Sequence, residues 1–465
     1  MDTLNAILLK VQEVAWGIPT LALLLGTGLF FTIKLKGIQF VRFPKALKLI
    51  FEKEDGANGD VSPFASLCTS LAASIGTGSI VGVATALRSG GPGALFWMWI
   101  SALLGMAVKY AESLLAVKYR VKDEKGEYSG GPMYYIERGL GKGWKFLAVL
   151  FAVFGLLTAL LGCGTFPQVN SITESVTSIV NIPVWVIGIA VTVVCGAVII
   201  GGIKSIARVA EFVVPVMAVL YVCGSLAVIC INYSNIPAVF GTIFHDAFSP
   251  SSVVGGFAGT TVMYAVMSTV RYGVARGIYT NEAGLGSSPI VSASAKTNSC
   301  VRQGLISMTS VFFTTIVVCT MTGFVIISSG LLGTSDYSGS VLASSAFGQG
   351  LPGSFGKYIV ALGIAFFSFT TIIGWCYYGE RCFVYLTNGT KYVIVYKLVY
   401  LAMIAIAPYF ALDTIWTLAD IVNAFMCFPN LIALLLLRND VIGETKSYFG
   451  TLKKSTKEKN KKSNE

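Results

Sequence analysis

The chain has 465 residues, of which 54% are hydrophobic and 12% are charged, and its formal net charge is +11. A soluble domain carries about 25% charged residues, so this composition excludes an ordinary soluble protein and predicts an integral membrane protein. Because a helix needs about 20 apolar residues to cross a bilayer, the length allows about ten to twelve spans in one polytopic domain.

Eleven apolar segments follow one another along the chain. In chain order they cover residues 15–35, 62–87, 93–117, 146–180, 183–200, 209–231, 252–279, 305–331, 355–384, 392–409 and 414–437. They predict an all-α membrane protein with about eleven transmembrane helices. We expect one polytopic domain over residues 1–440 and a Lys-rich cytoplasmic tail over residues 441–465.

Basic residues concentrate on one side of the predicted spans. If the N-terminus lies outside, the external loops hold only Lys10, Arg88 and Lys357. The internal loops then hold Lys34, Lys36, Arg42, Lys45, Lys48, Lys53, Lys118, Arg120, Lys122, Lys125, Arg138, Lys142, Lys145, Lys204, Arg208, Arg271, Arg276, Lys296, Arg302, Arg381 and Lys391. Cytoplasmic loops carry an excess of Lys and Arg. We therefore predict an external N-terminus and a cytoplasmic C-terminus, a topology that explains the net charge without a nucleic-acid partner.

Two basic segments are predicted at the cytoplasmic surface. Segment 38–53 (IQFVRFPKALKLIFEK) is amphipathic, so we expect it to lie along the membrane. The tail from Lys446 to Glu465 is polar, and we expect it to be disordered and close to anionic lipid. The ten cysteines include no CxxC pair, and His245 is the only histidine. A zinc or haem site is therefore not expected, and the thiols are interpreted as packing residues.

The second apolar segment contains three glycines within seven residues, Gly76, Gly78 and Gly82. Each glycine disfavours a helix interior by about 1 kcal/mol relative to alanine. A close packing face would explain them, because small residues let helix backbones approach. A broken helix would explain them equally well. Broken membrane helices are tolerated only when buried in protein or lining a cavity, so this alternative points to a transporter's binding site.

The ten segments after the first divide into two halves of opposite orientation, residues 62–231 and 252–437. The second half also begins with a glycine-rich segment, which contains Gly255, Gly256 and Gly259. Interrupted segments at corresponding positions of inverted halves are expected around a binding site at the membrane midplane. This pairing favours the broken helix, and it leaves segment 15–35 as an extra N-terminal helix.

Four motifs are longer and more specific than these patterns. They read SIGTGSIVGVATAL (74–87), SGGPMYYIERGLG (129–141), RGIYTNEAGLGS (276–287) and IIGWCYYGERC (372–382). Together they closely resemble the alanine/glycine:cation symporter family. The resemblance implies a leucine-transporter-type fold of five plus five inverted helices with one extra leading helix. It also implies transport of small neutral amino acids with sodium, less often with protons, across a bacterial cell membrane.

A zwitterionic amino acid needs donors for its carboxylate and acceptors for its ammonium group. N–H groups at Thr77, Gly78 and Ser79 are predicted to bind the carboxylate, with help from the half-helix dipole. Carbonyls from Gly255 to Gly259 are predicted to accept from the ammonium. The resemblance adds three side chains to the predicted site: Gln168 would hydrogen-bond the substrate or join two helices, and Phe166 and Trp375 would limit its size or belong to the core.

Sodium prefers hard oxygen ligands, by extension from calcium and magnesium. The resemblance implies a site formed by the carbonyls of Ala73 and Gly76 and the hydroxyls of Thr370 and Thr371. Adjacent threonines more often bond to their own helix backbone, which is the alternative. Asn281 is a weaker candidate, for a second ion site or a gate.

Ionisable residues inside spans are functional candidates by default. Asp420 could carry a proton, act as an indirect ion ligand or form a structural hydrogen bond, and Glu211 is a second candidate for coupling. Glu112 and Lys109 lie at helical spacing, which is more often structural.

We therefore predict a symporter that uses sodium to drive uptake of alanine, glycine or both. Two alternatives remain open: proton coupling, and an uncoupled amino-acid channel or receptor. Gly76, Gly78 and Gly82 lack the spacing of a dinucleotide-binding fingerprint, and no enzyme activity is expected. The expected partners are a small neutral amino acid, sodium and the lipid bilayer. No other cofactor is expected, and we expect a monomer.

Overall fold

A computed structural model describes residues 2–52, 54, 56–248, 262–333, 337, 339–353, 355–410 and 412–462. The predicted ammonium ligands Gly255 and Gly259 lie outside the described residues, as does Gly256.

The chain folds almost entirely into helices. The N-terminal elements are α1 (Asp2–Ala15), α2 (Ile18–Lys34), α3 (Ile38–Val41) and α4 (Phe43–Phe51). The next elements are α5 (Pro63–Ser74), a 3₁₀ turn (Thr77–Ser79), α6 (Val81–Gly90), α7 (Ala94–Lys118), strands β1 (Val121–Lys122) and β2 (Tyr128–Ser129), α8 (Pro132–Tyr135), a π-helical turn (Ile136–Leu140), a 3₁₀ turn (Lys142–Trp144), α9 (Lys145–Leu161), α10 (Phe166–Thr177), α11 (Val184–Ile199), α12 (Gly202–Ile231), a 3₁₀ turn (Tyr233–Asn235) and α13 (Ile236–Asp246). The strands form an antiparallel hairpin in which Val121 pairs with Ser129.

The remaining elements are again helical. They are α14 (Val262–Asn281), α15 (Pro289–Ser292), α16 (Cys300–Val311), a π-helical segment (Phe312–Cys319), α17 (Thr320–Ser328), α18 (Gly339–Gly350), α19 (Phe355–Thr387), α20 (Val393–Ile406), a 3₁₀ turn (Ala407–Tyr409), α21 (Leu412–Leu436) and α22 (Arg438–Lys462).

The described residues contain seven helices that are long and apolar enough to cross a membrane. They are Ala6–Lys34, Ala94–Lys118, Lys142–Thr177, Gly202–Ile231, Cys300–Ser328, Phe355–Thr387 and Thr414–Leu436. Two shorter apolar helices are Val184–Ile199 and Val393–Tyr409. The prediction of an all-α membrane protein is confirmed, whereas the number of eleven spans stays a prediction.

Two buried helices organise the packing. Helix α7 packs against α14 and α16, and α19 packs against α5, α9, α10 and α12. Local signals set where the interrupted helix α5 begins: Pro63 occupies its first position, and the Ser62 hydroxyl accepts a hydrogen bond from the Ala65 N–H at 3.0 Å. Helix α5 thus packs against both α19 and α16, and α16 in turn packs against α7.

The placement of Arg271 and Arg276 in a cytoplasmic loop with Arg302 is wrong. Arg271 lies 3.4 Å from Glu13 of α1, and Arg276 binds Asp420 beside Gln12 of α1. Arg302 instead lies beside Glu52, which follows α4. We call these two ends of the molecule the α1 end and the α4 end. The apolar segment 252–279 misled the prediction because the crossing element continues beyond Asn281 through an interruption.

The tail is also more ordered than predicted. Helix α22 continues to Lys462. Val441 and Thr445 are buried on one of its faces, and the Thr445 hydroxyl lies 2.7 Å from the Tyr110 hydroxyl of α7. The start of the tail therefore packs against α7 through Val441 and Thr445, which lie one helical turn apart. The Lys-rich composition of the tail did not indicate this packing.

Candidate functional site

The first interruption separates α5 from α6. Helix α5 ends at Ser74, one 3₁₀ turn follows, and α6 begins at Val81. In the described part of the chain, no backbone N–H donates to the carbonyls of residues 72–75. Such orphan carbonyls at a helix C-terminus carry partial negative charge. The interruption predicted from the glycines is thus present, and it exposes several acceptors to one small region.

The glycines also permit close approach, so both explanations of the cluster hold. A Cβ atom on Gly76 would lie 2.5 Å from the Thr371 hydroxyl, and one on Gly78 would lie 3.0 Å from the Tyr279 ring. Gly374 of α19 has the same function toward Ala73, because its Cβ would lie 2.9 Å from the Ala73 Cβ. Helix α19 and the end of α14 therefore touch the broken backbone directly.

A second interruption lies between α14 and α15, at residues 282–288. Glu282, Gly284 and Gly286 have φ values of +58°, +90° and +80°, the left-handed region that favours glycine. One Glu112 carboxylate oxygen accepts the N–H groups of Gly284 at 3.1 Å and Gly286 at 3.2 Å. The Lys109 ammonium donates to the Asn281 carbonyl at 2.9 Å.

The two interruptions differ in how their polar groups are satisfied. Asn430 completes the second one by donating to Glu112 at 2.6 Å and to the Gly284 carbonyl at 2.9 Å. Buried side chains thus replace water around this backbone, as an irregular segment within a membrane requires. Glu112 and Lys109 were expected to bind each other, whereas each of them binds the backbone of the second interruption.

A small cavity lies between the two interruptions. It is lined by Ala73, Ser74, Gly76, Gly78, Cys163, Gln168, Tyr279, Glu282, Thr371 and Trp375. The space between these residues holds about one water-sized particle. Six of the predicted residues, Ala73, Gly76, Gly78, Gln168, Thr371 and Trp375, therefore meet around one point, in a tightly closed arrangement.

Gln168 connects the first interruption to α10. Its side-chain oxygen accepts the Thr77 N–H at 3.1 Å, and its side-chain nitrogen donates to the Cys163 carbonyl at 3.0 Å. Pro167 at the start of α10 and the break at residues 162–165 place this amide beside the cavity. The predicted Thr77 N–H donor thus has Gln168 as its partner.

The two adjacent threonines of α19 have different surroundings. The Thr371 hydroxyl donates to the Ala72 carbonyl at 3.0 Å, so it lies beside the orphan carbonyls. The Thr370 hydroxyl donates to the Phe367 carbonyl of its own helix at 3.0 Å and lies 3.7 Å from the Met217 sulfur of α12. The structure therefore brings Thr371 to the site and leaves Thr370 bonded to its own helix.

Glu282 is the main residue that the sequence prediction missed. Its side chain is buried and lines the cavity, and one carboxylate oxygen accepts the Ser287 hydroxyl at 2.9 Å. The signal was available, because an acidic residue inside an apolar crossing element is a functional candidate by default. It was overlooked because residue 282 lies just past the predicted end of the span.

Comparison with known proteins assigns the chain to a family. The model of the sodium:alanine symporter family matches residues 1–463. The chain belongs to the sodium:alanine symporter family. The resemblance seen in the motifs is confirmed, and the chain is a multi-pass membrane protein of a transporter family.

Two curated relatives and one solved structure illustrate this membership. The chain is 45% identical to the sodium/alanine symporter AgcS of Methanococcus maripaludis, over 94% of this chain and 96% of that protein. It is 54% identical to an uncharacterized transporter of Haemophilus influenzae, over 97% of both chains. The crystal structure of MhsT with L-phenylalanine matches with a TM-score of 0.59 at 12% identity, over 84% of this chain and 93% of that one. The last match confirms the leucine-transporter-type fold alone.

Side chains at the α1 end cover the cavity. Arg276 of α14 donates to both carboxylate oxygens of Asp420 of α21, at 3.0 and 2.9 Å, and their side chains are only 11% and 7% exposed. The Arg276 guanidinium also lies 5.7 Å from the centre of the Tyr279 ring, which lines the cavity. The Gln12 amide donates to Asp420 at 2.6 Å. Asp420 therefore has a hydrogen-bonding, ion-paired environment that joins α1, α14 and α21.

Side chains at the α4 end form a second closure. The buried Arg381 of α19 binds Asp123 at 2.9 Å and Glu127 at 3.1 Å, both from the β1–β2 hairpin, and Glu380 at 2.5 Å. Arg120 donates to four backbone carbonyls, those of Asn58, Ala293, Ala295 and Thr297. The hairpin therefore ties α19 to the segment after α15, and the cavity is covered from both ends.

The other predicted residues lie away from the cavity. Phe166 packs edge-to-face against Phe410, and the Ser79 carbonyl accepts the Thr322 hydroxyl. The Asn281 side chain accepts from the Ala283 N–H and donates to Thr315, so it caps its own turn. Glu211 is exposed in a groove between α5 and α12. None of these four lines the cavity in the part of the chain that the structure describes.

Proposed function

We propose that this protein is a secondary active symporter that couples sodium to uptake of a small neutral amino acid, alanine, glycine or both. The supporting observation is the set of orphan carbonyls at residues 72–75, beside the Thr371 hydroxyl and a cavity that also contains the Glu282 carboxylate. Hard carbonyl and hydroxyl oxygens suit a hard cation, and a carboxylate suits an ammonium group.

The first interruption is the better sodium site of the two. Asn281, at the C-terminus of α14, is already capped by the Lys109 ammonium, whereas no cation of the described residues binds the carbonyls of residues 72–75. The Ala72 carbonyl and the Thr371 hydroxyl lie side by side, and Ala73 lines the cavity. The Gly76 carbonyl is less suited, because it accepts the Ser79 N–H at 3.1 Å. We therefore assign sodium to Ala72, Ala73 and Thr371.

We place the amino acid on the opposite side of the same cavity, which now holds about one water-sized particle and would widen when one of the two closures opens. Its ammonium group would bind Glu282, because a charge-assisted hydrogen bond is roughly twice as strong as a neutral one. Its carboxylate would bind the N–H groups around Thr77 and Gly78, near the start of α6, where the helix dipole favours negative charge. Gln168 would then exchange its bond to Thr77 for one to the substrate. The Trp375 and Tyr279 rings line the cavity, and we propose that they restrict the substrate to a small side chain.

Counted in their ionised forms, Lys109, Glu112 and Glu282 give this region a formal charge of −1. A zwitterion adds no net charge, so one sodium ion would neutralise the loaded site. One elementary charge moving across 100 mV releases about 2.3 kcal/mol. At 1.4 kcal/mol per decade, this energy supports about 50-fold accumulation before any sodium concentration gradient is counted. One coupled ion is therefore sufficient for useful uptake.

Alternating access would operate by opening the two closures in turn. The Arg276–Asp420 pair closes the α1 end, and the Arg381 cluster closes the α4 end. We place the α1 end outside and the C-terminus in the cytoplasm of a bacterial cell, following the bias of the other basic residues. We further propose inverted repeats over residues 62–231 and 252–437 and a monomeric protein.

Uptake of labelled alanine and glycine into proteoliposomes tests the proposal. Accumulation above the external concentration should require an inward sodium gradient, and it should disappear when potassium replaces sodium at constant pH. Simple equilibration across the membrane despite a sodium gradient would instead identify an uncoupled channel.

Proton coupling is the second candidate function. The buried Glu282 carboxylate faces the cavity and could carry a proton in place of a sodium-coupled step. Asp420 is less suited to this role than we expected, because Arg276 binds both of its oxygens. Uptake that follows an imposed pH gradient in sodium-free buffer would support proton coupling and contradict the sodium assignment.

A further inference from the structure

A basic groove lies at the α4 end and is lined by other residues than the closed cavity. It has a volume of about 570 Å³ and is lined by Lys34, Leu35, Lys36, Ile38, Val41, Arg42, Ile442, Thr445, Lys446, Phe449 and Gly450. These residues come from the end of α2, the short helix α3 with the residue after it, and the tail helix α22. The groove therefore forms only because the tail is helical and docked.

Four cations line this basic groove, namely Lys34, Lys36, Arg42 and Lys446. In the described part of the chain, none of the four has a carboxylate oxygen within 4 Å. The acidic residues of α22 closest in sequence are engaged elsewhere: Asp440 and Glu444 both bind Lys118, at 3.0 and 3.1 Å. The groove thus concentrates positive charge without protein counter-ions.

The backbone and a neighbouring lysine reinforce this arrangement. Lys36 has a φ of +57°, an uncommon conformation for a residue with a side chain, and Gly37 follows at +63°. This turn ends α2 and places Lys36 at the rim. Burial and the adjacent Arg42 lower the pKa of Lys45, the next cation along the chain, as expected where like charges are crowded.

The surroundings of the groove are apolar. Leu35 and Ile38 are buried in its wall, and the Arg42 guanidinium stacks 4.3 Å from the centre of the Phe449 ring. Phe40 and Val41 lie alongside and are 58% and 64% exposed. Such side chains beside a cluster of cations are typical of a surface that contacts headgroups and acyl chains at once.

The level of the groove in the membrane follows from α2. This helix is part of an apolar crossing element that ends at Lys34, so the groove lies where that element leaves the hydrocarbon. Basic pockets between membrane helices at this level bind anionic lipid headgroups. We propose that the basic groove is a binding site for one anionic phospholipid, with its phosphate among the four cations and its acyl chains along Phe40 and Val41.

The basic groove is separate from the closed cavity, and lipid binding there does not depend on the transported substrate. A soluble anion would share the phosphate chemistry, but it would gain nothing from the exposed apolar residues. A phospholipid uses both features, and it reaches the groove by diffusion within the membrane. A zwitterionic phospholipid carries no net charge to balance the four cations.

Native mass spectrometry of the detergent-purified full chain tests the site. The protein is titrated with phosphatidylglycerol, with phosphatidylcholine and with soluble glycerol phosphate. We expect one tightly retained phosphatidylglycerol and much weaker retention of the other two. The variant Lys34→Gln/Lys36→Gln/Lys446→Gln should bind phosphatidylglycerol about 100-fold more weakly, because each lysine near an anionic lipid headgroup contributes about 1 kcal/mol to binding.

The matched control is Lys125→Gln/Lys142→Gln/Lys391→Gln, which removes the same charge from exposed lysines outside the groove. It should retain phosphatidylglycerol like the wild type. Equal loss in both triple variants, or equal retention of phosphatidylcholine by the wild type, would overturn the proposal. If the groove variant fails to fold, the single variant Lys446→Gln on the exposed tail helix replaces it, with about fivefold weaker binding expected.

Discussion

The substitution Glu282→Gln tests whether the Glu282 carboxylate binds the ammonium group of the substrate or only stabilises the fold. Glutamine keeps the size of the side chain and an oxygen that can accept the Ser287 hydroxyl, which now donates at 2.9 Å. The left-handed backbone at residue 282 is unchanged. What is lost is the charge, and a hydrogen bond to a charged group is worth about 1.5–3 kcal/mol. At 1.4 kcal/mol per decade, the KM for alanine should rise about 10- to 150-fold.

The assay is sodium-driven alanine uptake into proteoliposomes, with Ser287→Ala and Glu112→Gln as controls. Ser287→Ala removes only a bond that orients Glu282, so it should change KM much less. Glu112→Gln should chiefly lower the melting temperature in detergent, because one Glu112 oxygen holds two N–H groups of the second interruption. A Glu282→Gln protein with wild-type KM and melting temperature would refute the assignment of the ammonium group to Glu282.

Substitutions at four other residues test the ion site, the size limit, the closure of the α1 end and the acid stability. Thr371→Ala should raise the sodium concentration for half-maximal uptake about tenfold while Thr370→Ala leaves it near wild type, and equal effects would remove Thr371 from the ion site. Trp375→Ala should admit larger neutral amino acids in competition assays, and an unchanged substrate profile would show that this ring does not limit size. Asp420→Asn should open the α1 end, because it leaves the Arg276 charge unpaired and costs the closed arrangement about 3–5 kcal/mol. Cys163, which lines the cavity, should then react faster with an impermeant thiol reagent, measured in a Cys223→Ser/Cys230→Ser background. An unchanged rate would contradict this closure. Hydrogen bonds from the Tyr385 hydroxyl and, to a smaller extent, from Lys145 lower the pKa of Glu137. The unfolded chain therefore binds more protons near pH 4.5, and the stability of the protein falls as the pH drops below that value. Between pH 7 and pH 4, the melting temperature should fall more for the wild type than for Glu137→Gln.

Most of the fold could be predicted because apolar length is a strong signal in a membrane protein. The predicted segment 93–117 corresponds to α7 (Ala94–Lys118), and the glycine cluster marked the first interruption correctly. The prediction was wrong where a membrane-crossing element is not apolar along its whole length. The break after Asn281 contains Glu282 and is stabilised by Lys109 and Glu112 from another helix, and no local pattern announces such distant partners.

The candidate site was predicted less completely, for a related reason. Thr370 and Thr371 are neighbours in sequence, yet only their orientation on α19 decides which one faces Ala72 and which faces Met217. The carbonyl ligands Ala73 and Gly76 stay a prediction, and their hydrogen bonding differs. The Gly76 carbonyl accepts the Ser79 N–H of the 3₁₀ turn, whereas in the described part of the chain no backbone N–H donates to the Ala72 or Ala73 carbonyl. Hydrogen bonding within the interruption sets this detail, which spacing does not reveal.

The two interruptions differ in which groups bind their backbone, and this difference suggests separate functions for them. Lys109 and Glu112 hold the backbone of the second interruption by direct hydrogen bonds to Asn281 and Gly284. In the described part of the chain, no cationic side chain binds the carbonyls of the first interruption, which leaves them for an ion that enters from solution. A sodium ion there would stabilise the broken end of α5 against α19, where Gly76 and Gly374 allow direct contact. Ion binding and closure of the α5–α19 contact would then be one event, which gives sodium a physical means of controlling access to the amino acid.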